Sequence, residues 1–382
     1  MNAVEVAREL APKLAARAGE HDVDGSFPAA DIADLRGAGL TGLMVPVELG
    51  GAGAGFADYA LVAMELGAAH GATALIFNMH ASVTGALAQI PAEVARALGV
   101  PEEALAAKDR ILREAATGSW YAVAMSERGA GSRLSAMTTT YERVEDGWRI
   151  RGEKSFVSGA GHADAYLVAA KNGELVSQFL VPAGEGITVR PVWDSLGMRA
   201  TASHDVLLDV VAPPDSLLGG IEGLALPMAQ LMPQWLVASY AAVYVGVARS
   251  AIDAAVAHLR QRNLDGLPAV RARVGRADAA VAAARLAVLE AARLVDQAPG
   301  QPETNRWVWR AKLLAGQTAM EVAASMLEAA GTAASRRGHP LERIFRDARC
   351  GSLQPATSDV CADWLGAAAL GADPENVGVP RW

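Results

Sequence analysis

Residues Trp120–Gly159 read WYAVAMSERGAGSRLSAMTTTYERVEDGWRIRGEKSFVSG, and this stretch decides the fold. It opens on an apolar run, Tyr121 to Met125, that predicts a strand. Ser126-Glu127-Arg128-Gly129-Ala130-Gly131-Ser132 comes next, and its two glycines let the backbone come close to something flat or anionic. Thr138 to Val144 and Trp148 to Arg151 then flank Glu145-Asp146-Gly147, and Asp-Gly between alternating runs is a hairpin signal. The next residues, Gly152 to Gly159, would lie beside the first loop if the strands pair. Taken alone, the Gly-rich loop reads better as a surface hairpin with no ligand, since such loops are common.

Outward from this stretch, strands are expected at Ala165–Ala170, Ser177–Val181, Ile187–Val192 and Asp205–Val210, ending at a Pro213-Pro214 linker. Before it, helical periodicity covers Val4–Arg17, Ala29–Gly37, Phe56–Ala69 and Ala72–Leu87, with Gly and Pro breaks between. After it, Ala238–Asn263, Pro268–Leu294, Glu303–Ala330 and Leu353–Ala369 give four helices, and four imply an antiparallel bundle. The fold class is α+β, mostly α: an N-terminal helical domain (1–118), a small central β domain (119–225) and a C-terminal four-helix bundle (226–382).

Composition narrows the function. The net charge of −8 over 382 residues, with scattered basic residues, gives no reason to expect a nucleic-acid partner. Cys350 and Cys361 have no metal-ligand companions, so no metal site is expected and both read as free thiols in a reducing cytoplasm. Met1–Glu20 lacks the apolar core of a signal peptide. Leu224–Val245 is the most apolar region, but Pro233, Gln234 and Ser239 interrupt it, so it reads as a buried bundle helix rather than a membrane span.

The loop Met125–Ser132 and the companion segment Gly152–Gly159 resemble the paired signature segments of the acyl-CoA dehydrogenase superfamily, and the resemblance extends over nearly the whole chain. It implies FAD, with FMN or a dissociable reduced flavin as variants. By the same resemblance, Met125 and Ser126 would contact the flavin's pyrimidine end through their backbone. Phe156 stands where a Trp covers one ring face, Ser158 where a Thr hydroxyl approaches N5, and Ser132 where a serine meets the bound acyl carrier. The resemblance further implies a homodimer or homotetramer and an electron-transfer flavoprotein or flavin reductase as partner.

The catalytic half departs from the pattern. His339–Arg349 fits the family's terminal motif and fixes the register of the residues after it, placing the usual Tyr-Glu-Gly-Thr-Ser on Gln354-Pro355-Ala356-Thr357-Ser358. Thr357 keeps its flavin-contact position, but Pro355 replaces the catalytic glutamate and cannot accept a proton. The family's second base position falls on Gln234, an amide, with Trp235 in place of a frequent arginine. The phosphate-anchoring Arg-x-x-Phe-Gly survives only as Arg262-Asn263-Leu264-Asp265-Gly266, and Glu328 falls where a neutral Gln often touches adenosine.

Three functions are compatible with this pattern. The first is α,β-dehydrogenation of a CoA- or carrier-bound acyl thioester by a relocated base, with Asp359 as candidate and Glu127 behind it, although Thr357-Ser358-Asp359 also reads as ordinary helix-start chemistry. The second is a two-component flavin-dependent monooxygenase, which needs a dry pocket and no α-proton base, with His204 or His162 as proton donor. The third is a scaffold that has lost catalysis. His80, in an apolar helix, reads as a satisfied core histidine before it reads as a pocket residue.

Overall fold

The computed structural model describes residues 2–376, so Met1 and residues 377–382 of the expected bundle lie outside it. Helix α1 (Ala3–Asp24) starts at Asn2, whose side chain accepts the Glu5 N–H, and ends at Gly25 in the left-handed region, φ 70°. α2 (Ala29–Gly37), α3 (Phe56–Ala69) and α4 (Gly71–Ala88) follow, then α5 (Ala92–Ala97) and α6 (Glu102–Ala116). Every side chain of α4 from Gly71 to Gly85 is buried, as expected for a helix apolar all round.

The β layer comprises β1 (Tyr121–Ala124), β2 (Thr140–Val144), β3 (Gly147–Val157), β4 (Ala165–Asn172), β5 (Leu175–Pro182), β6 (Ile187–Arg190) and β7 (His204–Ala212). The order is β1-β4-β2-β3-β7-β6, with β5 antiparallel on β4. The expected hairpin is β2–β3, registered from Val144 opposite Gly147 to Thr140 opposite Arg151. Gly147 is required at its turn, since a Cβ there would sit 2.1 Å from the Ala212 carbonyl oxygen. The first loop and the companion segment are not paired strands: β1 runs parallel to β4, and the two segments touch through a backbone hydrogen bond from Ser155 to Ser126.

After the sheet come α7 (Ala225–Leu231), α8 (Ala238–Gln261), α9 (Pro268–Gln297), α10 (Pro302–Ala330), α11 (Pro340–Arg349) and α12 (Ser358–Ala369). α10 packs along α8 and α9, and α3 lies along the other side of α8. The α3–α8 crossing is tight because Gly67 faces the Val243 backbone and Gly246 faces that of Met64; a Cβ at either would come within 2.4 Å of a carbonyl oxygen. Segment Pro233–Gln261 is apolar and long enough to cross a bilayer, yet 78% of its most apolar window is buried by these neighbours. The last helix begins at Ser358, not Leu353, because Thr357 caps it and the residues before it form an irregular loop.

Candidate active site

The Ser126 carbonyl accepts the Ser155 N–H at 2.8 Å, which sets the Gly-rich loop beside the far end of β3. Glu127 then closes the loop on itself, exchanging backbone hydrogen bonds with Gly131 at 3.0 and 2.8 Å. Its side chain is 3% exposed. It accepts from Lys154 Nζ at 2.7 Å, from the Thr138 N–H and hydroxyl at 2.6 and 2.7 Å, and from the Thr139 N–H at 3.0 Å. Burial alone would raise the Glu127 pKa, but Lys154 and these donors bring it down to about 2. Glu127 is therefore a fixed anion that latches the loop, with no lone pair free to collect a proton. Gly129 and Gly131 adopt φ 88° and 63°, and a Cβ on either would meet nothing within 4 Å, so the loop faces open space.

Opposite this loop, the β3–β7 register shifts between Lys154 and Val157, a bulge that leaves Phe156 at φ 59°. A bulky side chain in that region is a conformational outlier. Its ring is 60% exposed and meets Trp193 edge-on at 6.2 Å. Next to it, Ser158 Oγ lies 2.9 Å from Ser203 Oγ, which lies 2.7 Å from Thr201 Oγ1, and Thr201 donates to the Met198 carbonyl at 2.9 Å. Ser155 Oγ is buried without a partner in the protein. An exposed aromatic face, a buried hydroxyl relay, an orphaned hydroxyl and an open backbone loop together fit a planar heteroaromatic ring with polar edges, which is what a flavin presents.

A cavity of about 320 Å³ adjoins the loop, with Val123 and Met125 in its wall. The remaining wall is largely aliphatic and comes from α4 to α7, with Leu87, Leu105 and Met228 typical. Asp215 is the one carboxylate among the lining residues, and Arg110 holds it at 2.8 Å on the exposed rim. Gln234 is fully buried and donates to Gln89 Oε1 at 2.7 Å, while the Trp235 indole donates to the same oxygen at 2.9 Å.

The residues singled out in the sequence are distributed unevenly around this site. Met125, Ser126, Ser132, Phe156 and Ser158 belong to the shelf or its loop. Asp359 stands in the exposed first turn of α12 and does not line the 320 Å³ cavity. Thr357 spends its hydroxyl on capping α12, accepting the Val360 N–H at 3.3 Å. Arg262 is exposed just past α8, and Glu328 is ion-paired to Arg273 at 2.6 Å. His204 Nδ1 accepts the N–H groups of Val192 and Trp193 at 3.2 and 3.1 Å, leaving its proton on Nε2. His162 is stacked on Phe27 at 3.8 Å, and burial lowers the pKa of both His162 and His204. His80 is buried, with Nε2 on the Thr41 carbonyl and Nδ1 accepting the Tyr121 N–H.

Sequence reading did not assign the Glu127–Lys154 latch, the Ser203 and Thr201 members of the relay, or Lys312. Lys312 is buried and donates to the carbonyls of Gly351, Gln354 and Ala356 at 2.8, 3.2 and 2.9 Å, shaping the loop that carries Pro355. Lys154 stands within the Gly152–Gly159 segment and could have been paired with Glu127. A lone lysine in an alanine-rich helix gave no such signal. No His, Cys, Asp or Glu cluster suited to a metal occurs among the described residues, and both cysteines are free thiols.

A β layer bearing a ring shelf beside two helical sets that pack directly on each other, α3 and α4 on α8, is the architecture of flavin-dependent oxidoreductases of one kind. The chain belongs to the acyl-CoA dehydrogenase family: residues 2–102, 122–211 and 222–370 match the models of the N-terminal, middle and C-terminal domains of acyl-CoA dehydrogenase. It is 29% identical to the putative acyl-CoA dehydrogenase YdbM of Bacillus subtilis (strain 168), over 94% of each chain. Among solved structures it is similar to FMN-bound TdsC from Paenibacillus sp. A11-2 (TM-score 0.85, 26% identity, 97% of this chain and 98% of that one). It is also similar to KijD3 in complex with FMN and a dTDP-linked amino sugar (TM-score 0.85, 28% identity, 98% and 96%). The family and these neighbours use a flavin, FAD or FMN.

Proposed function

We propose that this chain is a two-component flavin-dependent monooxygenase that oxygenates a compact, largely apolar substrate held in the 320 Å³ cavity. One observation carries this reading: the cavity wall offers no unpaired carboxylate, and the two positions where the family keeps its base hold Pro355 and Gln234. Abstraction of an α-proton needs a base within hydrogen-bond reach. The likeness to a structure named dibenzothiophene monooxygenase (TdsC), at 26% identity, supports the same reading. Dehydrogenation of an acyl thioester, which the sequence placed first, has the named dehydrogenase relatives in its favour and lacks the base.

A bound flavin, once reduced by a partner reductase, supplies the activation of dioxygen. The chain's residues do the rest. Phe156 and Trp193 would cover one ring face, the backbone of Met125 and Ser126 would hold the pyrimidine end, and the latched Glu127 would keep that loop in place. Ser158, Ser203 and Thr201 would carry a proton to or from the ring edge. The aliphatic wall excludes water from the substrate.

The test uses purified protein loaded with FMN or FAD. With reduced flavin and an apolar heteroaromatic substrate such as indole or dibenzothiophene, oxygen uptake should depend on substrate and track product one to one. Anaerobic butyryl-CoA should leave the flavin absorbance unbleached. Bleaching by acyl thioesters without substrate-dependent oxygen uptake would reverse the assignment, and protein that binds no flavin would favour a scaffold.

A further inference from the structure

A second depression, an open groove of about 800 Å³, lies behind the first cavity and is lined by the Gly53–Phe56 turn, Val94, Val295 and Asp296 among others. The two spaces have three wall residues in common, Ile90, Met232 and Trp235. Trp235 is the largest of these and the most firmly held. It projects from the Pro233–Trp235 turn into a notch on α4 where Gly85 has no side chain; a Cβ there would fall 2.2 Å from the indole ring. Its Nε1–H is tied to Gln89 Oε1 at 2.9 Å, and Phe56 and Tyr59 meet the ring edge-on at 4.7 and 5.5 Å. A side chain fixed by a hydrogen bond, a backbone notch and two aromatic rings is a wall, not a gate.

We propose that Trp235 is the specificity-determining residue of the substrate chamber, a partition that limits ligands to the smaller space and bars longer ones from the groove behind. At about 320 Å³ the chamber stands at the low end of small-molecule sites, and joined to the groove it would fall among the large ones. The groove's lining is mostly apolar; its polar members are Gln89, tied to Trp235, Glu48, which is exposed, and Asp296, whose carboxylate accepts the Phe56 and Ala57 N–H groups. A longer ligand admitted by removing the partition would not carry an anionic tail, which would meet two acids. This inference rests on the smaller cavity being the substrate chamber, so the test reads binding and not turnover.

The experiment is calorimetric titration of the flavin-loaded protein with ω-phenyl-1-alkanols of increasing chain length. In the wild type each added methylene should tighten binding about fourfold until a length at which the gain stops. Trp235→Ala should move that break to chains at least two methylenes longer. Met232→Ala, which thins the same wall, should move it less. Adding Val94→Trp to Trp235→Ala refills the groove and should bring the break back. Trp235→Leu, which keeps more of the packing, guards against a variant that fails to fold, and thermal melting checks both. Identical breaks in wild type, Trp235→Ala and Trp235→Leu would overturn the partition while leaving the chamber assignment intact. If no member of the series binds the wild type, the chamber assignment itself fails and the partition with it. Failure of the oxygen-uptake test with a shifted break would leave this inference standing.

Discussion

Both nitrogens of His80 are occupied, Nε2–H by the Thr41 carbonyl at 2.8 Å and Nδ1 by the Tyr121 N–H at 3.2 Å, so the ring pins α4 to the start of β1 in its neutral form. Burial pushes its pKa down to about 4, against an unfolded value near 6.5. Between those values the unfolded chain binds the extra proton, so the stability held by neutral His80 is complete above pH 6.5 and is lost as the pH falls toward 4. The full span is worth about 3 kcal/mol. His80→Gln should flatten this acid limb of urea stability measured from pH 7 to 4, while wild type falls more steeply. Equal slopes would show that His80 takes up its proton alike in the folded and unfolded chain. The sequence already favoured a satisfied core histidine here, because a polar ring in an apolar helix must find partners. It could not name them, since Thr41 and Tyr121 lie 39 and 41 residues away. Ser158 is the same case: its place in a motif was legible, but its hydroxyl partner Ser203 is 45 residues distant and set by the β3–β7 register.

The elements were more legible than their joints. Alternating runs around Asp146-Gly147 located β2 and β3, and short apolar segments set off by Gly, Asn and Pro located β4, β5, β6 and β7, of which β4 and β5 are buried on both faces. The amphipathic run Leu105, Ile111, Leu112 and Ala115 that forms the buried face of α6, with Leu105 and Ile111 in the cavity wall, was also present in the chain and went unread as a separate helix. The bulge in β3 had no sequence signal, since Phe156 is a residue that strands favour and that positive φ disfavours. Held strain of this kind, about 1–3 kcal/mol, persists where the surrounding structure imposes it and often marks a ligand site. Phe156→Gly should therefore leave the flavin-free protein as stable as the wild type or up to about 1 kcal/mol more stable. The same variant should bind flavin about tenfold more weakly, because the exposed ring that would lie on the cofactor is gone. Thermal melts of the flavin-free protein with fluorescence titration of FMN separate the two effects. A destabilised variant with unchanged flavin affinity would mean that the ring serves the fold and not the ligand.

Across the whole molecule the three layers meet at one guanidinium. Arg346 of α11 bonds both oxygens of Asp22 at the end of α1, at 2.9 and 2.5 Å, and both oxygens of Glu342 one turn back, at 2.7 and 2.9 Å. It also donates to the Leu196 carbonyl, in the loop before β7, at 2.9 Å. The neighbouring Asp347 accepts the Met198 N–H at 2.6 Å, and Arg199 reaches back to the Asp22 carbonyl at 2.8 Å. The terminal motif His339–Arg349 served to fix a register in the sequence; that its arginine closes on a residue 324 positions earlier could not be read there. Arg346 is buried, so its ion pairs are screened far less than surface pairs and should hold in high salt. Arg346→Ala leaves Asp22 and Glu342 facing each other without a cation, a loss of roughly 3–5 kcal/mol by the usual cost of breaking a buried pair. Because the removed contacts join helical and β layers, the variant should also unfold less cooperatively, with a calorimetric enthalpy exceeding the van't Hoff value in scanning calorimetry. Arg346→Lys keeps the charge without the planar fork and should recover part of the stability but not the simultaneous grip on all three partners. A single sharp transition at the wild-type midpoint in Arg346→Ala would show that the remaining contacts, Asp347 to Met198 and Arg199 to Asp22 among them, hold the junction without Arg346.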